Sequence, residues 1–187
     1  IKGGKKFKGV QTGGPSGGII TEEHLDTPID FGALTRLGSM MGSGGMIVMD
    51  EDDCVVDVAK FYMEFCVDES CGKCSPCRIG TRQMHTILEK ISRGNGELED
   101  LQKLKDIGQA MKSASLCALG QSAPNPTLST LNKFEQEYID HIVSKKCVAG
   151  KCKKLISYEI TEKCIGCGMC AKNCPANCIV GEKKSRH

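Results

Sequence analysis

Two groups of cysteines give this chain the ligand chemistry of an iron–sulfur protein. The first group is Cys71, Cys74 and Cys77, each two residues from the next, with Cys117 far downstream. Two residues between thiolates let one loop place successive sulfurs on neighbouring corners of a cubane, so this set predicts a 4Fe–4S cluster. Four thiolates also suit zinc, but zinc sites more often use two separate C-x2-C pairs.

The second group has the ferredoxin pattern C-x2-C-x2-C-x3-C-P. It consists of Cys164, Cys167, Cys170, Cys174 and Pro175. In two-cluster ferredoxins the fourth cysteine of such a run ligates the other cluster, and a second run completes the pair. The first three cysteines therefore predict a 4Fe–4S cluster whose fourth ligand lies outside the sequence or is Cys178, and Cys174 is expected to ligate a second tail cluster. We prefer a fourth ligand from outside the sequence and expect Cys178 to be a small buried residue.

Hydrophobic periodicity predicts the elements that hold these cysteines. Apolar residues recur with helical spacing in four segments, which are Val55 to Phe65, Met84 to Ile91, Glu97 to Met111 and Asn125 to Ile142. Asn125 is expected to cap the fourth helix, with Pro126 at its first position. Four helices with short connections predict an up-down-up-down bundle over residues 53–146.

That topology explains the wide gap in the first cysteine group. Cys71, Cys74 and Cys77 fall between helices one and two, and Cys117 falls between helices three and four. Alternating helix direction puts both loops at one pole of the bundle, so the cluster caps that pole. Two basic residues beside it, Lys73 and Arg78, would either raise the cluster potential or form salt bridges at the helix start.

The opposite pole is predicted to bind zinc. His141 lies near the end of helix four, and Cys147 and Cys152 follow it with ligand-like spacing. The end of helix four should lie beside the start of helix one, which makes Cys54 the fourth ligand, whereas Cys66 lies near the cluster pole. The alternative is a helix-end histidine and two free thiols in a basic linker.

The segments outside the bundle predict an α+β protein of three parts. Residues 1–52 are glycine-rich with short apolar stretches at Phe7–Val10 and Met46–Met49, which predicts a small β-rich or α+β module. Its glycine loops match neither phosphate-binding pattern and are interpreted as tight turns. Residues 147–187 are interpreted as a hinge and a partial ferredoxin-like domain, with a strand from Leu155 to Ile160.

Composition excludes several classes of protein. The chain has 187 residues, 13 cysteines and no apolar signal segment, which argues against a secreted disulfide scaffold and favours a reducing cytoplasm. No segment predicts a membrane span, and a net charge of +2 with 4% aromatic residues argues against a nucleic-acid module. The chain begins at Ile1 without an initiator methionine and is expected to be part of a longer protein.

Five lysines surround the hinge, at positions Lys145, Lys146, Lys151, Lys153 and Lys154. They are interpreted as a solvated linker. The alternative is a surface that steers an acidic ferredoxin or a partner subunit.

Four motifs together resemble the flavoprotein subunit of respiratory complex I. They are Thr12–Gly18, Met41–Met46, Glu69–Gly80 and Ser115–Gly120. The corresponding subunits of NAD-linked and electron-bifurcating iron–iron hydrogenases are more similar still, because they add a ferredoxin-like tail. The resemblance implies a β-grasp module of the soluble-ligand-binding (SLBB) type at residues 1–52, and FMN and NAD(H) sites in an earlier domain that is missing from this sequence. It also implies partners in a multi-subunit redox complex, including a thioredoxin-like 2Fe–2S subunit, a hydrogenase catalytic subunit and a ferredoxin.

The chain is therefore expected to carry electrons between flavin and iron–sulfur clusters in a bifurcating hydrogenase, as part of an NAD-dependent oxidoreductase subunit and without catalytic residues of its own. One alternative is a subunit of a complex I or formate-dehydrogenase type of NADH dehydrogenase. Another is a module that docks ferredoxin or uses its clusters only for structure. Reversible reduction of the clusters would distinguish electron transfer from a structural role.

Overall fold

The computed structural model describes residues 1–156, 158, 160 and 162–180. The chain divides into two compact units, Ile1–Ile156 and Ser157–His187. No helix among the described residues is both long enough and apolar enough to cross a membrane.

The first unit opens with a three-stranded antiparallel sheet. Its strands are β1 (Phe7–Thr12), β2 (Ile19–Ile20) and β3 (Met46–Asp50), in the order β2-β1-β3. A short helix, α1 (Phe31–Arg36), begins after Asp30, whose carboxylate accepts a hydrogen bond from the Ala33 backbone at 2.7 Å. The two longer strands lie where the apolar stretches predicted them, and α1 packs Leu34 against Val10 and Ile20.

Six helices follow between residues 55 and 142. They are α2 (Val55–Glu69), α3 (Ser75–Ser92), α4 (Leu98–Ala114), α5 (Ala118–Ser122), α6 (Asn125–Lys133) and α7 (Glu135–Ile142). Their apolar faces meet in one core, in which Met84, Leu88, Leu104 and Leu131 are fully buried. Burying a large apolar side chain contributes about 1.5–3 kcal/mol to the free energy of folding, so this core is the main source of stability.

The segment predicted as one fourth helix is divided in two. Phe134 leaves the helical region, with φ −133° and ψ 35°, and α7 starts at the next residue. Apolar spacing runs on without interruption through this break, so periodicity could not reveal it. Asn125 is the first helical residue of α6 and Pro124 precedes it, one position from the expected cap.

The sheet and its adjoining turn contact the helices through α6 and α7. Ser129 Oγ accepts a hydrogen bond from the Ile19 backbone at 3.1 Å, and Asn125 Nδ2 donates to the Ser16 carbonyl at 2.9 Å. Lys8 forms an ion pair with Glu137 at 2.5 Å. Sheet and helices belong to one compact unit. The predicted domain boundary at residue 52 falls inside that unit and stays a prediction.

The second unit contains one short helix among its described residues, α8 (Met169–Asn173). It begins after Gly168, which has φ +71°, a left-handed conformation that favours glycine. The predicted strand at 155–160 is not seen at its start, because Lys153–Leu155 form a 3₁₀ turn. Residues 157 and 159 of that strand lie outside the described residues.

Candidate functional site

Four cysteines from two separate segments, the loop after α2 with the first turn of α3 and the loop after α4, line one small cavity in the first unit. The cavity has a volume of about 130 Å³. Its lining consists of Cys71, Cys74, Cys77, Cys117, Glu69, Ser70, Lys73 and Leu119. The structure thus brings together the four cysteines of the first predicted set, with the loop after α2 facing the loop after α4.

Local backbone geometry explains how this loop presents its sulfurs. Gly72 has φ +74°, so the chain turns sharply between Cys71 and Cys74. Cys74 precedes α3 and Cys117 precedes α5, which places both at helix N-termini, where backbone N–H groups are unpaired. The positive end of a helix dipole favours negative charge, so both positions suit thiolates that bind a metal cluster.

Hydrogen bonds join the two loops at Cys74. Backbone N–H groups of Leu116 and Cys77 donate to its sulfur and lower the pKa of the Cys74 thiol. The charge of Arg78 adds to this lowering. Arg78 also donates from Nη1 to the Gly72 carbonyl at 3.0 Å. This hydrogen bond stabilises the turn of the cysteine loop, in place of the salt bridge considered for Arg78.

Cys66 lies on α2 close to this site and behaves differently from the four lining cysteines. It is buried, at 3% exposure. Burial, with a smaller contribution from the charge of nearby Cys77, raises the pKa of Cys66 to about 11. Cys66 therefore stays a neutral thiol at neutral pH.

Two serines beside Cys77 were missed by sequence reasoning. Ser70 Oγ lies 3.4 Å from Cys77 Sγ. Ser115 is buried, and its hydroxyl has no hydrogen-bond partner within the described part of the chain. The signal in the sequence was their position, since Ser70 directly precedes Cys71 and Ser115 lies two residues before Cys117.

A second cluster of ligand atoms lies at the other end of α2. The ligand atoms of Cys54, His141, Cys147 and Cys152 all lie within 4.8 Å of one another, and all four residues are buried. His141 Nε2 is 3.3 Å from Cys54 Sγ and 3.4 Å from Cys152 Sγ. We call these four residues the Cys3His site. The structure brings together the whole set that helix topology predicted, including the distant Cys54.

The tautomer of His141 suits a metal ligand. Its Nδ1 lies 2.6 Å from the Glu137 carbonyl oxygen, which can only accept a hydrogen bond. Nδ1 therefore carries a proton, and Nε2 is the ring nitrogen that faces the sulfurs and can bind a metal once its own proton is lost. Burial opposes protonation of His141, but the hydrogen bond and charge of Cys54 outweigh it and raise the pKa of His141 to about 9.

The Cys54 thiol is poised to lose its proton. A hydrogen bond from Cys152 lowers the pKa of Cys54, against the effect of burial, and His141 lowers it further. The same hydrogen bond raises the pKa of Cys152. Cys54, His141 and Cys152 thus share their protons through hydrogen bonds. A divalent cation that binds these side chains would replace the protons.

The ferredoxin-type cysteines lie in the second unit. Cys164 and Cys167 precede α8, Cys170 is in its first turn, and Cys174 follows its end. Glycines with positive φ at 166 and 168 shape the loop between the first three cysteines, and the Gly166 N–H donates to Cys164 Sγ at 3.4 Å. Donation of backbone N–H groups to cysteine sulfur is typical of iron–sulfur loops.

The expectation that Cys178 is buried is wrong, because the residue is exposed. Its sulfur lies 3.5 Å from that of Cys174. The Cys178 backbone N–H donates to Cys174 and lowers the pKa of the Cys174 thiol, with the Cys178 thiol adding to it. The turn after Pro175 brings these two cysteines together, which burial preferences could not predict.

Comparison with known families matches both cysteine regions. Residues 57–141 match the model of the NADH-ubiquinone oxidoreductase-F iron-sulfur binding region, which includes Cys71, Cys74, Cys77 and Cys117. Residues 158–180 match the 4Fe-4S binding domain, which includes the ferredoxin-type run.

Similar proteins are components of hydrogenases and NADH-quinone oxidoreductases. The NADP-reducing hydrogenase subunit HndC of Solidesulfovibrio fructosivorans is 52% identical over 185 residues, which cover 98% of this chain and 38% of that protein. The NADH-quinone oxidoreductase F subunit of Mycobacterium bovis is 39% identical over 147 residues, covering 79% of this chain and 33% of that protein. The chain thus spans about a third of the length of these curated relatives.

A solved structure shares the fold of much of the chain. The crystal structure of an NAD+-reducing [NiFe]-hydrogenase in the H2-reduced state superposes with a TM-score of 0.67 at 31% identity. The match covers 74% of this chain and 24% of the hydrogenase chain.

Proposed function

Over residues 57–141 the chain belongs to the family of NADH-ubiquinone oxidoreductase-F iron-sulfur binding regions, and from this premise we propose that it carries electrons within a subunit of an NAD(P)-linked oxidoreductase. The observation that supports this most directly is the cavity lined by Cys71, Cys74, Cys77 and Cys117. It lies inside the matched region, and its ligands come from the two loops that the cysteine spacing singled out.

The residues around the cavity fit a 4Fe–4S cluster. Four thiolate donors converge on one space, two of them at helix N-termini, and backbone N–H groups point at Cys74. A cluster bound there would supply one-electron redox chemistry. The chain's own part is to hold the four sulfurs and to donate hydrogen bonds to sulfur.

The wider assignment extends the proposal to the whole subunit. FMN and NAD(H) would be bound by other parts of a longer protein. The names of the NADP- and NADH-linked relatives support the nicotinamide site, and the FMN site follows from the family resemblance. Residues 1–52 would form the β-grasp module, 53–146 the cluster-binding bundle and 147–187 the hinge and ferredoxin-like domain. Partners would be other subunits of a cytoplasmic redox complex, including a thioredoxin-like 2Fe–2S subunit, a hydrogenase catalytic subunit and a ferredoxin in a bifurcating enzyme.

Reversible reduction tests whether the clusters move electrons or only support structure. We expect anaerobically prepared protein to take up and release electrons over repeated cycles, with an EPR signal of a reduced 4Fe–4S cluster that returns each time. A chain that holds iron but unfolds or loses its iron on reduction would indicate a structural cluster and refute electron transfer.

The tail is proposed to hold one or two further 4Fe–4S clusters. Cys164, Cys167 and Cys170 would bind one cluster with a fourth ligand from outside the 187 residues, and Cys174 would ligate a second. The match of residues 158–180 to a 4Fe-4S binding domain supports iron in this unit.

A second proposed function belongs to the Cys3His site. We propose that Cys54, His141, Cys147 and Cys152 bind one zinc ion, because three thiols and one imidazole nitrogen are zinc's preferred donors and they lie buried within 4.8 Å of one another. Bond lengths of about 2.0–2.3 Å place tetrahedral ligands roughly 3.3–3.8 Å apart, close to the spacings between Cys54, His141 and Cys152. Zinc there would join the start of α2 to the segment after α7 without taking part in redox chemistry.

A further inference from the structure

We infer that Ser70 donates a hydrogen bond to the Cys77 sulfur, that Ser115 donates one to a sulfide of the cluster beside Cys77, and that both bonds thereby set the reduction potential of the cluster. This inference rests on the proposed function, because it requires a cluster on Cys71, Cys74, Cys77 and Cys117. It assigns a positioning role to two side chains that are not ligands.

Ser70 is oriented as a donor to Cys77. It follows the last residue of α2, and its Oγ lies 3.4 Å from Cys77 Sγ. The Gly72 backbone N–H donates to the same Oγ at 3.4 Å, so the hydroxyl accepts from one side. A ligating Cys77 is a thiolate and can only accept, which directs the hydroxyl hydrogen of Ser70 to that sulfur.

Ser115 is a buried hydroxyl with no partner among the described residues. Its side chain is 5% exposed, and its Oγ makes no hydrogen bond within that part of the chain. Its backbone is fixed on both sides, since its N–H donates to the Met111 carbonyl at 3.1 Å and its own carbonyl accepts from Gln121 at 3.0 Å. A buried hydroxyl without a hydrogen-bond acceptor costs free energy, so Ser115 calls for an acceptor that the described part of the chain does not supply.

Gly120 lies between the Ser115 hydroxyl and Cys77. A Cβ added to Gly120 would sit 2.7 Å from Ser115 Oγ and 2.9 Å from Cys77 Cβ. The hydroxyl and the ligand cysteine therefore face one narrow gap, which glycine leaves open and any larger residue would fill. Ser115 thus approaches Cys77 from α4, while Ser70 approaches it from α2.

Two hydroxyl donors on the Cys77 side of the cluster, one to the Cys77 sulfur and one to a cluster sulfide, have a defined electrostatic effect. Reduction adds negative charge to the cluster, and hydrogen bonds to sulfur stabilise that charge. Cys77 is also the most buried of the four ligands, so these bonds act where water competes least. Both serines are therefore expected to raise the reduction potential of this cluster relative to a site without them.

The test is an EPR-monitored redox titration of the full chain with its clusters. Ser70→Ala and Ser115→Ala should each shift the midpoint potential of the bundle cluster to more negative values, with a larger shift in the double variant and iron content unchanged. Ser70→Thr, which keeps the hydroxyl, should restore the parent potential. Ser113→Ala is the matched control, because Ser113 is exposed and its hydroxyl bonds only to the carbonyls of its own helix.

If the alanine variants fail to hold iron, a measurement on the parent protein still tests the inference. After exchange into D2O, pulsed ENDOR of the reduced bundle cluster should detect deuterons coupled to it at hydrogen-bond distance from sulfur. Absence of that coupling, or unchanged potentials in alanine variants that retain their iron, would overturn the inference and leave the proposed cluster in place. Absence of any 4Fe–4S signal in the parent would instead refute the proposed function.

Discussion

His141 Nε2 lies 3.3 Å from Cys54 Sγ, although 87 residues separate the two in sequence. Cys54 immediately precedes α2, and His141 is in the last turn of α7. The Glu137 carbonyl fixes the imidazole so that Nε2 faces the sulfur. One side chain from each end of the helical segment therefore lies at a single buried position. A metal ion bound there would join the two ends.

Replacing His141 with Gln is expected to remove one zinc ion per chain and to lower the thermal unfolding midpoint. A structural zinc site contributes its binding free energy to folding, so its loss destabilises the protein. The bundle cluster should keep its EPR signal, because it lies at the other end of α2, a helix of 15 residues or roughly 22 Å. Elemental analysis for zinc and iron, with EPR of the reduced protein, provides the measurement.

His85→Gln is the control for that substitution. His85 lies on α3 outside the Cys3His site and should retain zinc and stability. A His141→Gln protein with unchanged zinc, or a parent protein that purifies without zinc and is equally stable after chelation, would contradict the zinc assignment.

Cysteine spacing and helix direction together predicted the two groups of side chains that the structure brings together in the first unit. Spacing alone identified Cys71, Cys74 and Cys77, and the alternation of helices added Cys117 from one pole and Cys54 from the other. These arguments succeed because few ways exist to connect antiparallel helices with short loops. The residues that meet at each pole are thus readable from sequence in a helical protein once helix direction is assigned.

Features that depend on tertiary packing were not readable. The break at Phe134 leaves the apolar spacing intact, so nothing in the periodicity marks it. The role of Ser115 depends on the close approach of Gly120, which only the folded backbone reveals. The exposure of Cys178 follows from the turn after Cys174, whereas composition favours burial for a cysteine.

Replacing Cys117 with Ala is expected to remove the bundle cluster and to loosen the loop between α4 and α6. Cys117 is the one ligand from that loop, and the remaining three cysteines come from the other side of the cavity. Iron content should fall by about four per chain, with loss of one 4Fe–4S EPR signal. Cys66→Ala is the control, since Cys66 is close to Cys77 but does not line the cavity, and equal losses in both variants would refute the ligand set.

Asp100 is expected to stabilise the hairpin of α3 and α4 that presents Cys77 opposite Cys117. Its nearly buried carboxylate accepts from the Glu97 N–H at 2.9 Å and pairs with Lys90 at 2.9 Å. Asp100→Ala should lower the free energy of unfolding by about 2–4 kcal/mol, because it removes a helix cap and a charged hydrogen bond. Asp100→Asn should cost less, since the amide oxygen can still accept from Glu97.

Asp100 is also expected to make the free energy of unfolding depend on pH. Burial opposes ionisation of Asp100, but hydrogen bonds from Lys90, the Glu97 backbone and Lys103 outweigh it and hold the pKa of Asp100 below its ordinary 3.8. A lowered pKa contributes stability that is present above the ordinary value and is lost as pH falls below it. Asp100→Asn should therefore lose less stability than the parent below about pH 4. Urea unfolding at several pH values checks this, with Asp106→Asn on the exposed face of α4 as the control.

The tail cluster is expected to depend on Cys170 and not on Cys178. Cys178 contacts Cys174, with 3.5 Å between the two sulfurs, and donates its backbone N–H to the Cys174 sulfur. Serine at position 178 keeps that N–H and offers a hydroxyl donor, so Cys178→Ser should preserve the iron bound by the second unit. Serine at position 170 removes a ligand of the C-x2-C-x2-C run and should abolish it. Measuring iron and EPR in a Cys117→Ala background isolates the tail from the bundle cluster. Loss of iron in Cys178→Ser equal to that in Cys170→Ser would instead make Cys178 the fourth ligand of the tail cluster.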